Sequence, residues 1–114
     1  MLRLAVATLL MSALPARASE ERALIGAEIA KVLTGAEVIG EGTRQKFYEG
    51  GRTLYNDGRD SWGYWKVEGE RYCSQWPPQQ GWACYNMRVW EEGQQVWVAW
   101  IGDGGARYDG YIAP

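Results

Sequence analysis

From Thr43 onward the chain alternates short runs rich in Val, Tyr and Trp with glycine-bearing turn signals: EGGR (49–52), NDGR (56–59), EGE (68–70), EEGQ (91–94) and GDGG (102–105). Runs of this length between regularly spaced turns predict consecutive antiparallel strands. The expected strands are 44–49, 52–57, 61–67, 71–76, 82–91, 95–101 and 106–112, with a short one at 37–40. Before them, Ile25, Ile29, Val32, Leu33 and Ala36 recur at helical spacing, which predicts one amphipathic helix over 19–35. Ser19 suits its N-cap, Glu20 and Glu21 its first turn, and Gly35 a left-handed stop at its end. The fold class is therefore mainly β: an N-terminal helix, then an antiparallel meander of about seven strands that forms a small barrel or a curved sheet.

Side chains alternate faces along a strand, so turn positions assign an interior. A turn at Glu68-Gly69 sets Trp65 opposite Tyr72. Pairing Cys73 with Cys84 sets Tyr72 opposite Tyr85 and Trp76 opposite Gly81. A turn at Glu92-Gly93 sets Val89 opposite Val96 and Met87 opposite Val98. All three assumptions put Trp65, Val67, Tyr72, Trp76, Tyr85, Met87, Val89, Val96, Val98 and Trp100 on one face, the expected core. The other face mixes charges with large aromatics, including Trp62, Tyr64, Lys66, Trp82, Arg88, Trp90 and Trp97. In this register Arg88 stands opposite Trp97, a cross-strand cation–π pair. Two accounts of so aromatic an outer face stand side by side. Either the helix covers part of it, or it is a binding surface.

The first eighteen residues change the picture of where the protein works. MLR, the apolar run Leu4–Leu14 and the small-x-small ARA at 16–18 predict a cleaved signal peptide over 1–18 and one mature domain over 19–114. The apolar run is too short to span a bilayer, which takes about 20 residues. The mature protein is expected to be periplasmic or secreted, without an integral membrane span. Of twelve basic residues Arg3 and Arg17 leave with the signal, so ten face fourteen acidic ones, a formal charge of −4. The charges are scattered and form no basic stripe, which argues against nucleic acid as a partner.

The only two cysteines, Cys73 and Cys84, flank SQWPPQQGWA. An even count in an exported chain points to one structural disulfide. Ten intervening residues do not suit a redox pair, whose spacing is usually Cys-x-x-Cys. With no histidine in the chain, two cysteines alone do not make a metal site, and neither metal nor cofactor is expected.

The stretch GYWKVEGERYCSQWPPQQGWACYNM (63–87) resembles a pattern of short exported proteobacterial proteins of unknown function: Gly63-x-Trp65-x-Val67-x-Gly69, Cys73, Trp76, then Trp82-x-Cys84-Tyr85. The resemblance covers about a quarter of the mature chain and continues loosely to the last strand. It implies a small helix followed by a disulfide-linked β-meander in the periplasm or outside the cell. It implies no activity.

Catalytic chemistry finds few candidates. A nucleophile would need an activating base, and Lys31, Lys46 and Lys66 show no suitable spacing. Glu91, Glu92, Asp103 and Asp109 could supply a carboxylate pair for glycan hydrolysis, but the first three fall at hairpin turns, where acids are ordinary. The expectation is a non-catalytic envelope binding or inhibitor-type module, with a structural or assembly factor of the envelope as the alternative. An envelope protein or a glycan is the expected partner. The candidate binding surface comprises Trp82, Pro77, Pro78, Trp90, Trp97 and Arg88, centred on the loop between the cysteines.

Overall fold

A computed structural model describes residues 18–114; the expected signal peptide lies almost wholly outside the described residues. The elements in chain order are β1 (Arg22–Leu24), α1 (Ala27–Leu33), β2 (Glu37–Gly40), β3 (Thr43–Phe47), β4 (Arg52–Asn56), β5 (Asp60–Glu68), β6 (Arg71–Gln75), β7 (Ala83–Glu92), β8 (Gln95–Ile101) and β9 (Arg107–Ile112). Strands β2 to β9 form an up-and-down antiparallel barrel, closed by β9 pairing with β2, and β1 is an extra strand on β7. Closure removes the open edges that a curved sheet would leave.

The extra strand explains a difference from the sequence expectation. The helix does not begin at Ser19 but at Ala27, because Gly26 stands at φ 59°, outside the right-handed helical region. Strand β6 pairs with β7 only over residues 83–85, leaving the rest of that β7 edge open, and β1 takes it over 87–89. Ser19 continues the pairing: its backbone N–H donates to the Glu91 carbonyl and its hydroxyl accepts from the Glu91 N–H. Leu24 is thereby fully buried, whereas Ile25, expected on the helix's core face, is 44% exposed. The other end of α1 agrees with expectation, with Gly35 in the left-handed region just beyond it.

The helix does not cover the outer aromatic face. It closes one end of the barrel, where Ile29 and Leu33 are fully buried in the core. Phe47 is the hub there, edge-on to Trp65 and Tyr72 and stacked on Trp100, with ring centroids 5.6, 6.1 and 5.9 Å away. Turns 48–51, 69–70 and 93–94 lie at this helix end; turns 41–42, 57–59 and 102–106 and the loop 76–82 lie at the other.

Two hairpins are displaced from the expected register by two residues. Trp65 pairs with Ser74, and Val89 with Val98, because the turns are Gly69-Glu70 and Gly93-Gln94. A slip of two preserves the face of every side chain. Nine of the ten expected core residues therefore stand: Trp65, Tyr72, Met87, Val89, Val98 and Trp100 are buried, and Val67, Tyr85 and Val96 pack against them. Trp76, the tenth, is only half-buried, because it lies beyond the end of the ladder at the open end of the barrel. What the slip breaks is the Arg88–Trp97 pair, since Arg88 stands opposite Ala99 and Trp97 opposite Trp90. Cys73 and Cys84 pair as expected and form the disulfide. Strand pairing ends at Ser74–Ala83, so Trp76 does not face Gly81 within the ladder.

Candidate functional site

Toward the end opposite the helix, the inward-facing positions change character. Apolar residues give way to Thr43 and Gln45 on β3, Tyr55 on β4, Ser61 on β5 and Ser74 on β6. Glycine at inward positions lets neighbouring groups pack directly against the wall. A Cβ on Gly63 would lie 2.6 Å from the Trp76 ring and 2.7 Å from the Gln75 carbonyl, so the indole of Trp76 can lie against β5 only because residue 63 has no side chain. A Cβ on Gly110 would meet Val38 at 2.6 Å. An open cavity of about 950 Å³ lies in the upper half of the barrel. Small-molecule sites occupy about 300–1,000 Å³, and an eight-stranded barrel can hold one such ligand.

The floor is aromatic and uncharged. Tyr72, Tyr85 and Trp100 line it beside Val38. Burial holds the Tyr72 phenol well above its ordinary pKa, outweighing the opposite pull of nearby Ser74 and Gln45, so it stays neutral. Gln45 Nε2 donates to Thr53 Oγ1 at 3.0 Å, and Trp76 Nε1 donates to Ser74 Oγ at 3.2 Å. One donor is left over: the indole N–H of Trp100, itself 9% exposed, has no partner among the described residues. An unpaired buried donor costs about 1–3 kcal/mol, and this N–H is closed off from solvent and from the open chamber alike.

The rim carries charge. Glu41 and Asp57 line the mouth, and among the described residues neither carboxylate forms an ion pair. Burial first, then the Asp57 charge, raises the pKa of the Tyr55 phenol, which lies on the same wall. Asp109 and Arg107 also line the mouth but hold each other, Nε to Oδ1 at 2.8 Å. The Arg107 guanidinium lies over the outer face of Trp90, 5.4 Å from its centroid, and is bonded to Glu21. These carboxylates raise the pKa of Arg107 further, Glu21 foremost.

No family model, curated protein or solved structure matches this chain. Of the candidate binding surface, Pro77 alone lines the cavity, together with Trp76, whose expected place was the core, and Trp62, expected on the outer face. Pro78 is exposed on the same loop. The loop is tied by the Gln79 N–H to the Trp76 carbonyl at 3.0 Å, by Gln75 Nε2 to the Gln80 carbonyl, and by the disulfide at its base. Trp82 lies on the outer side, with Lys66 Nζ 4.1 Å from its ring centroid. Trp90 and Trp97 stack on the outer face at 6.1 Å, and Trp97 meets Tyr111 at 5.3 Å. Arg88 reaches Glu21 at 3.9 Å. The outer aromatics thus pair mainly with one another and with cations, which is a packing reason for each.

The candidate acids do not converge. Glu92 and Asp103 flank opposite ends of β8, and Asp103 is bonded to Arg71 at 2.7 Å. Glu68 lies near both sulfurs, but these are consumed in the disulfide, so the trio offers no thiolate ligand. Sequence reasoning missed Gln45, Tyr55, Ser61, Ser74, Glu41 and Asp57. Alternation carried back through β3 and β4 would have found the first two, as polar or amphipathic side chains at inward positions.

Proposed function

We propose that this chain is an exported, non-catalytic binding module that holds a small ring-bearing molecule in the open half of its barrel. One observation carries the reading: half of the barrel interior is tightly filled, while the other half is a cavity walled by Tyr55, Trp76 and Trp100 and furnished with uncharged hydrogen-bonding groups. Aromatic walls stack on flat apolar faces, and a few neutral polar groups fix orientation. A sugar unit of an envelope glycan belongs to the class that such a site accommodates. The acids at the hairpin turns support a non-catalytic role, because Glu91, Glu92 and Asp103 do not line the cavity and Asp103 is taken up by Arg71. Export is supported by the leading segment and by a disulfide, which suits an oxidising compartment.

The test is a fluorescence titration with N-phenyl-1-naphthylamine, a neutral dye that brightens in an apolar enclosure. The reading predicts a saturable rise with one dye per chain and loss of the signal on denaturation. A linear, non-saturating response would remove the support for a discrete site.

A further inference from the structure

The charge pattern of the mouth narrows the ligand class. We infer that the cavity takes an organic ammonium ion, with its uncharged body on the aromatic floor and its charged nitrogen at the mouth between Glu41 and Asp57. This inference rests on the cavity reading above.

Three observations lead there. The two carboxylates line the opening from neighbouring turns, 41–42 and 57–59, and neither is neutralised by a cation among the described residues. Arg107, the one cation lining the cavity among the described residues, is already held by Asp109 and Glu21. Arg59, in the same turn as Asp57, is exposed and is not part of the lining. The second observation is aromatic. Tyr55 and Trp76 meet edge to face at 6.0 Å below the carboxylates, and Tyr108 joins them at the rim. Ring faces attract a cation, and several rings around a mouth favour an ammonium over a neutral isostere. The third is deeper. No charged side chain among the described residues joins Tyr72, Ser74, Tyr85 and Trp100 in the floor, so the buried part of the ligand must be uncharged, because a charge carried there would lose its hydration without a counter-ion. An anionic group has no place in this arrangement: the rim repels it and the floor cannot compensate it.

The experiment displaces the bound naphthylamine dye with three molecules of one shape: phenethylamine, 2-phenylethanol and phenylacetate. Phenethylamine is expected to bind about tenfold more tightly than the alcohol, as a cation–π contact plus two nearby carboxylates would give, and phenylacetate more weakly than either. The double variant Glu41→Gln/Asp57→Asn should bring the amine down to the alcohol while leaving the alcohol within about twofold, since a neutral ligand gains nothing from the charges. Both positions are exposed turn residues, and an unchanged melt would show the fold intact. If amine and alcohol compete equally in the wild type, or the acid competes best, the ammonium inference is overturned while the cavity reading stands. If the dye binds but none of the three displaces it, the inference falls as well. If the dye itself fails to bind, both fall.

Discussion

The two halves of this barrel are built from the same strands yet do opposite things with their interiors. At the helix end, Leu24, Ile29, Leu33, Phe47, Met87 and Val98 are essentially inaccessible, and the helix completes their packing. At the open end, the same strands present Thr43, Gln45, Tyr55, Ser61 and Ser74 around a cavity. A barrel of eight strands has room to do either along its whole length. On the binding reading proposed above, stability and recognition would be separated along the barrel axis, with Tyr72 and Trp100 as the shared boundary. A substitution below that boundary should cost stability. One above it should cost binding.

The most severe way to break this division is Phe47→Ala. Removing the hub of four rings should destabilise by about 3–5 kcal/mol, visible as a lowered midpoint in urea unfolding. If the division holds, any fraction still folded should bind the dye normally. Next is removal of the disulfide by Cys73→Ser/Cys84→Ser. Cysteines 11 residues apart close a loop worth about 3 kcal/mol on the chain-entropy model, so the melting temperature should fall by well over ten degrees. Because that loop carries Trp76 and Pro77 at the cavity, dye affinity should fall too, so this change crosses the boundary. Gly63→Ala is milder. Its new methyl meets both the Trp76 ring and the Gln75 backbone carbonyl, so the ring and strand β6 must both give way, and about 1–3 kcal/mol of stability is lost together with dye affinity.

The smallest effect is electrostatic. The hydrogen bond from Arg107 holds the Glu21 pKa below its ordinary value of 4.5. A lowered folded-state pKa stabilises above the ordinary value, and that contribution disappears as pH falls through the folded value. Glu21 is exposed, so a melt followed from pH 6 into the acid range should show only a slight loss traceable to this group, one that Glu21→Gln lacks.

Period-two alternation makes the lower half legible from the residues alone, and it survives two wrong turn assignments because both errors are even. Trp65, Met87 and Val98 therefore fall correctly inside, while the Arg88–Trp97 pairing does not survive. The helix start is misread because Ser19, Glu20 and Glu21 suit a cap and a first turn, yet this segment runs along β7. An open edge on β7 outcompetes a marginal helical turn there, and Gly26 is the local sign of the boundary. The cavity is illegible for a different reason. Whether Ser74 or Gln45 faces an empty space or a neighbour depends on the closure of the barrel and on where the helix plugs it, and alternation along one strand holds neither. Trp82, Trp90 and Trp97 are conspicuous in the sequence for their size. Their outer-face contacts become visible only once the strands that carry their partners lie side by side.

The claim that the upper half is a ligand chamber is tested most directly by filling it from the mouth. Ser61 lines the cavity, is exposed, and has no side-chain hydrogen bond among the described residues, so Ser61→Trp adds bulk to the chamber without touching the packed half. Titrating N-phenyl-1-naphthylamine into this variant and the wild type, with melts recorded alongside, gives the answer. The account predicts saturable binding to the wild type, loss of binding in the variant, and melting temperatures that agree within a few degrees. Undiminished dye binding with tryptophan at position 61 would contradict it.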